Sequence, residues 1–317
     1  MNRILCIGEA LIDMICTNKG STLNNGENFL KKAGGAPTNV AAAIAALGGK
    51  VDIAAKVGTD PFGNHLIDVM KSFGVGTNFM FQDAKHFTTF AFVSLMKNGE
   101  RDFYFNRGAD AELSIDDTNT IDIDNYSIVH FGSATGFLNG KLQKAYFDVL
   151  SKAKAKNKFI SFDPNYRHLL FGNNQKTFIK HAWNFIEQCN FFKLSDEEAM
   201  LITHESSVEK AAQILLAKCK AVFAITLGSK GTLLGLQGNT NIIPSIKIKP
   251  KDTTGAGDAF VGAVLFQLSK LSNAKITKLT LNNWQNIIVN GNKAGARTCE
   301  YLGAMEAFKF LNKDIFN

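Results

Sequence analysis

The stretch Asp252-Thr-Thr-Gly-Ala-Gly-Asp258-Ala-Phe holds the sharpest chemical pattern in the chain. Gly255, Ala256 and Gly257 are small enough to expose successive backbone N–H groups. They open an apolar helix, whose dipole adds positive potential at that end. Such an anion hole suits the charge that develops on a transferring phosphoryl group. Asp258 lies in the same turn, placed to accept a proton from a substrate hydroxyl. The same residues also read as a tight glycine turn with an ordinary first-turn acid, and the pattern alone weighs the two evenly.

A second pattern is Ala33-Gly-Gly-Ala-Pro-Thr-Asn39-Val-Ala. Adjacent Gly34 and Gly35 let a ligand approach the backbone closely. Pro37 suits a first helical turn, and Asn39 offers both a donor and acceptors. By itself this also reads as a helix entry packed on a strand. Other signatures are missing. There is no Gly-x-x-x-x-Gly-Lys-[Ser/Thr] loop and no Gly-x-Gly-x-x-Gly. The histidines show no metal-ligand spacing, and His204-Glu205 lacks the second histidine of a zinc helix.

Elements must hold these residues in place. Short apolar runs predict strands at Arg3–Gly8, Val51–Val57, Ser127–Phe131, Phe159–Phe162, Phe191–Leu194, Val222–Leu227 and Thr240–Ile248. Helical spacing predicts Pro37–Leu47, Pro61–Phe73, Asn139–Lys156, Gln175–Glu187, Ser207–Cys219, Gly257–Ser269 and Lys278–Thr298. This alternation predicts an α/β fold with a largely parallel sheet, and ligands beyond the carboxyl ends of its strands. Two stretches break the pattern. Asp13–Ala33 is polar, and Phe87–Phe105 reads as two strands around Asn98-Gly99, apolar on both faces. Together they predict a small β-lid, one face over the site and the other free to meet a partner subunit.

Composition narrows the class. Hydrophobic residues at 45% and charged residues at 20% exclude disorder, a collagen repeat and a disulfide scaffold. The longest apolar run, Ala259–Leu268, is about half of the ~20 residues a spanning helix needs. The opening Met-Asn-Arg-Ile-Leu-Cys reads as a first strand, not a signal peptide. Five scattered cysteines without a Cys-x-x-Cys pair point to reduced thiols in the cytoplasm. The net charge of +7 follows largely from lysines on solvated helix faces, so no nucleic acid and no membrane is expected as a partner. In Asn139–Lys156, for example, Leu142, Ala145, Tyr146, Val149, Leu150 and Ala153 form one stripe, with most lysines off it.

Taken together, the two glycine patterns resemble the paired signatures of the PfkB carbohydrate kinase family, within the ribokinase-like superfamily. The likeness runs from Leu5 to about Gly303, with the motifs in family order. It implies ATP-dependent phosphorylation of a sugar-like hydroxyl by one domain over residues 1–317. The implied fold is a ribokinase-like α/β/α sandwich with a mostly parallel central sheet and a small β-lid at about 13–33 and 87–106. Gly8-Glu-Ala-Leu-Ile-Asp13, Gly-Gly-Ala-Pro-Thr-Asn-Val-Ala, Gly99-Glu-Arg-Asp-Phe-Tyr-Phe-Asn-Arg107 and Phe162-Asp-Pro-Asn-Tyr-Arg167 are similar to fructokinase segments. The resemblance implies that Asp13 binds sugar hydroxyls beside Gly34, Gly35 and Asn39. Arg107, Asn165 and Arg167 are implied secondary contacts, with a structural ion pair as the other reading of Arg167.

On the nucleotide side, Lys193-Leu-Ser195-Asp-Glu-Glu198 resembles the family's Asn-x-x-Glu element, with Ser195 in the asparagine place. This implies that Glu198 acts on Mg²⁺ through water, although an acid there also caps a helix. Thr226-Leu-Gly228-Ser-Lys-Gly231 resembles the phosphate and ribose loop, and Asn292-Lys-Ala-Gly-Ala the adenine-side helix. Asp252 and Thr254 are similar to the family's monovalent-cation ligands. Arg297–Gly303 follows the family's last loop only loosely, which weakens the case for K⁺. The expected activity is a fructokinase that phosphorylates the 6-hydroxyl of fructose with Asp258 as base. The alternatives are a 2-keto-3-deoxygluconate kinase, with Arg167 facing a carboxylate, and a non-catalytic sugar sensor. A homodimer through the lid's outer face is also expected.

Overall fold

A computed structural model describes residues 1–96 and 101–316. Thirteen strands form: β1 (Arg3–Ile7), β2 (Leu11–Cys16), β3 (Phe29–Gly34), β4 (Lys50–Gly58), β5 (Met80–Asp83), β6 (Thr89–Leu95), β7 (Arg101–Asn106), β8 (Ile128–Phe131), β9 (Phe159–Phe162), β10 (Phe191–Ser195), β11 (Val222–Thr226), β12 (Thr232–Leu236) and β13 (Asn239–Ile243). Nine make one sheet in the order β13-β12-β11-β10-β9-β8-β1-β4-β5. From β5 to β11 the pairs are parallel; β12 and β13 run antiparallel at the edge. Ile4–Ile7, Ile128–Phe131 and Phe159–Phe162 are buried along their whole length. That is what a parallel strand covered on both faces requires, and helices cover both faces here. The fold is an α/β sandwich, as the resemblance implied.

Two helices matter most for the site. Ala36–Ala46 is buried over nearly all its length, and so is Ala256–Leu268. They pack closely because their contact is made of small residues: a Cβ on Gly262 would lie 2.7 Å from the Ala43 Cβ. Their N-termini, carrying Asn39 and Asp258, are thereby brought together. The Lys141–Ala155 helix buries Leu142, Ala145, Tyr146, Val149, Leu150 and Ala153. No helix among the described residues is long and apolar enough to cross a membrane.

The two stretches that break the strand–helix alternation each supply strands to a second sheet, ordered β3-β2-β6-β7. The turn expected at Asn98-Gly99 lies outside the described residues. Ile15, Leu30 and Leu95 are exposed. By strand alternation they share a face with Asp13, since Ile15 pairs with Leu30 and Asp13 with Lys32. The exposed aliphatic side chains therefore do not lie on the face away from the cleft, as expected from the sequence. That opposite face packs Phe90 edge-on against Phe62, 4.9 Å between ring centroids.

Other boundaries also differ. The strand expected over Thr240–Ile248 ends at Ile243, because Pro244 lacks an N–H for the ladder. Its hairpin partner, β12, and the edge strand β5 are additional elements. So is the helix Asp196–Thr203, only eight residues long. The last long helix begins at Leu281, where Thr280 caps it, rather than at Lys278.

Candidate active site

The site lies beyond the carboxyl ends of β1, β8, β9 and β10. Gly255 precedes the Ala256 helix at φ 79, a left-handed conformation that glycine adopts freely. The Ala256 N–H closes the turn on the Thr253 carbonyl at 3.2 Å, and Gly257, next in the first helical turn, lines the cleft. Asp258 follows in the same helical turn. Asn39 Nδ2 donates to Asp258 Oδ2 at 2.8 Å, which joins the two glycine motifs directly. A carboxylate only accepts, so the amide is fixed with its oxygen outward. That Asn39 Oδ1 is buried without a hydrogen-bond partner. A ligand hydroxyl would satisfy it. Burial raises the Asp258 carboxyl above its ordinary pKa, against the Asn39 hydrogen bond and the Lys193 and Arg167 charges.

Lys193, from the middle of β10, places its ammonium under the hole. A Cβ on Gly257 would sit 3.2 Å from Lys193 Nζ. The lysine is buried and pairs with the fully buried Asp163 at 3.2 Å. Burial alone would lower its pKa, but the charges of Asp163, Glu198 and Asp258 outweigh it and raise it. The surrounding acids thus favour the charged form of Lys193, beside the place where phosphoryl charge would develop. Asp163 itself is pushed up by burial, with the Lys193 charge opposing, and its Oδ2 is the oxygen nearest the ammonium.

Asp13 projects from β2 with no hydrogen bond to its carboxylate among the described residues. Its approach requires Gly34, since a Cβ there would lie 2.1 Å from Asp13 Oδ2. Burial pushes the Asp13 carboxyl up to about 7, with Arg167 opposing and Glu9 and Asp258 adding to the rise. Arg167 is exposed and forms no ion pair among the described residues; its guanidinium bonds only the Tyr166 carbonyl, at 3.1 Å. The structural ion pair that the sequence left open is not formed.

Arg107 and Asn165 are held differently. Arg107 Nε meets Asp110 at 3.2 Å, and a terminal nitrogen meets the Thr135 carbonyl at 3.4 Å. Asn165, buried at φ 48, donates to the Gly132 carbonyl at 2.9 Å. Both side chains brace loops. Glu198 is held by two backbone N–H groups, Tyr166 to Oε1 and Ser195 to Oε2, both at 2.8 Å. Ser195 returns a bond to the Glu198 N–H, so the capping reading of this acid is realised. Asp252 Oδ1 accepts from the Thr254 N–H and hydroxyl, while Oδ2 accepts from the Gly303 N–H at 2.8 Å.

A cavity of about 500 Å³ opens beside the hole. Thr226, Gly228, Gly231, Asn292, Ala256 and Gly257 line it, with Ile246 and Phe260 as apolar wall. This volume falls in the usual range for a cofactor-sized ligand, roughly 300–1,000 Å³. Asn292 does not offer its amide to that space. Thr232, Ile243 and Pro244 occupy it. Finally, the helix Ala304–Phe308 touches both sides of the site. Ala304 packs on Gly255, and Glu306 forms an ion pair with Lys32 of β3.

Residues 1–309 match the family model described as pfkB family carbohydrate kinase. The chain belongs to the PfkB family of carbohydrate kinases. A probable fructokinase-5 of Arabidopsis thaliana is 34% identical over 272 residues, 84% of this chain and 83% of that one. A fructokinase of Xylella fastidiosa, solved with bound ATP, has a TM-score of 0.86 at 26% identity, covering 99% of this chain and 96% of its own. A fructokinase of Vibrio cholerae, solved with fructose, ADP and calcium, has a TM-score of 0.82 at 28% identity, covering 100% and 98%.

Two residues of this PfkB kinase's cleft, Lys193 and Asp163, were not among those singled out from the sequence. A signal existed for the first. A lone lysine inside Phe191-Phe-Lys-Leu194 must be paired if the strand is buried. Its partner, thirty positions earlier, follows a different strand and has no sequence pattern linking it to Lys193.

Proposed function

We propose that this PfkB kinase transfers the γ-phosphate of ATP to the 6-hydroxyl of fructose. The observation that carries the reading is the Asn39–Asp258 bond, which sets a general base between a hydroxyl-binding side and an anion hole. Fructose hydroxyls donate to Asp13 and to the free Asn39 Oδ1. Asp258 takes the proton of the attacking hydroxyl, and its raised pKa makes it a stronger base than an exposed carboxylate. The Gly257 amide and the Lys193 ammonium receive the charge of the transferring group. ATP lies in the 500 Å³ cavity. The whole chain acts as one domain, and the four-stranded sheet closes over the sugar as a lid that excludes water.

Magnesium fits the acids present. Glu198 is oriented by two backbone donors just past the carboxyl end of β10. Glu198 would hold it through water, and when bound it neutralises phosphate oxygens. Asp252 and Thr254 are the candidates for a monovalent cation, but their side chains bond each other and Gly303. Five free thiols support a cytoplasmic setting. A second copy of this chain is the proposed occupant of the Ile15, Leu30 and Leu95 face; a monomeric mass by light scattering would exclude it.

The unpaired Arg167 guanidinium favours one second reading, a kinase for a sugar acid such as 2-keto-3-deoxygluconate. An ADP-release assay with ATP and Mg²⁺ over fructose, 2-keto-3-deoxygluconate, ribose, mannose and adenosine separates them. Preference for fructose supports the proposal; a carboxylate requirement moves it to the sugar acid. Sugar binding without turnover would favour a sensor.

A further inference from the structure

Glu9 follows Gly8 at the carboxyl end of β1 and is 1% exposed. Its carboxylate gathers donors from two separate segments. Oε1 accepts from the Ala36 N–H at 3.2 Å and from the Ala134 N–H at 3.3 Å. Oε2 accepts from the hydroxyls of Ser133 and Thr135. Ala36 is the first residue of the helix that carries Asn39, directly after Gly34 and Gly35. The contact is tight along the backbone too, since a Cβ on Gly35 would lie 2.5 Å from the Glu9 carbonyl oxygen. The other segment starts at Gly132, whose carbonyl holds Asn165, and ends at Thr135, whose carbonyl holds Arg107. One buried carboxylate thus clamps the two loops that brace most of the proposed sugar contacts. None of its partners lines the nucleotide cavity.

We propose that Glu9 is a positioning residue for the sugar site: it fixes the Gly34–Asn39 turn against the 132–135 loop without touching substrate. This rests on the sugar-kinase reading above. Removing the carboxylate leaves two backbone N–H groups without their acceptor, so both loops must shift to find new partners. A shift of that kind reaches Asn39 and Asn165 before anything on the ATP side. A displacement of about 1 Å in a binding group is enough for large losses.

The test begins with wild-type enzyme on the sugar panel at saturating ATP. Glu9→Ala is expected to raise the KM for the preferred sugar by about tenfold or more, and to leave the ATP KM within about twofold. Glu9→Gln keeps an amide oxygen for the Ala36 and Ala134 N–H groups and is expected to recover most of the loss. Should Glu9→Ala fail to fold, Ser133→Ala removes one donor and carries the same comparison of the two KM values. An unchanged sugar KM in these variants overturns the proposal, as does a parallel rise in both KM values. If the wild type turns over no sugar on the panel, the sugar reading itself fails, and this inference falls with it.

Discussion

On the proposed sugar side of the cleft the polar groups belong to side chains: the carboxylates of Asp13 and Asp258, the Asn39 amide and the Arg167 guanidinium. On the proposed nucleotide side, Gly228, Gly231 and Gly257 line the cavity with backbone, against an apolar wall of Ile246 and Phe260. The first kind of surface is easily changed one functional group at a time. The second depends on a backbone conformation that favours glycine, as at Gly231 (φ 106). Substitutions on the sugar side should therefore alter chemistry with the fold intact, while those on the nucleotide side should alter fold and binding together.

The most damaging test of that contrast is Asp258→Asn. It should lower kcat by ~10²–10⁴-fold with an unchanged melting temperature, measured by initial rates and thermal unfolding. Near-normal turnover would remove Asp258 from the mechanism. Lys193→Met comes next, with an expected loss of ~10²–10³-fold in kcat, the range for one preorganised stabilising group. A change confined to KM would show instead that Lys193 serves ground-state binding.

A smaller effect concerns pH. Asp13 is pushed up to about 7 by burial, so it is mostly protonated at pH 6 and mostly ionised at pH 8. Sugar hydroxyls donate to the ionised form. The sugar KM at saturating ATP should therefore fall about tenfold from pH 6 to pH 8. A flat profile would mean that Asp13 does not bind the sugar as a carboxylate. The smallest effect is on the other side. Gly231→Ala would place a Cβ 2.1 Å from the Ile243 carbonyl oxygen. It should cost about 1 kcal/mol or more of stability and raise the ATP KM, with the sugar KM unmoved. Equal damage to both KM values would erase the distinction between the two sides.

The same contrast governs what could be read from the sequence. The Gly255–Asp258 turn was legible because a local pattern contains the whole device. The Lys141–Ala155 helix was legible because its buried stripe repeats at helical spacing. Lys193 with Asp163 was not, because the pair is made by register between β9 and β10. The β12–β13 hairpin was also missed. Its turn, Gln237-Gly238, has both residues at positive φ, yet glutamine there is not a strong hairpin signal. Neither the pairing of Arg107 with Asp110 nor the capture of the Asn292 amide by Thr232, Ile243 and Pro244 could be read, since each depends on which loops the fold brings together.

The helix Ala304–Phe308 seats Ala304 against Gly255 and links Glu306 to Lys32. Every acid of the site is synthesised before this helix. On the ribosome, a nascent chain that has just released Asp258 carries all the reactive groups but lacks the wedge behind the anion hole and the tether to β3. Competence should therefore wait until residues near 306 have left the exit tunnel.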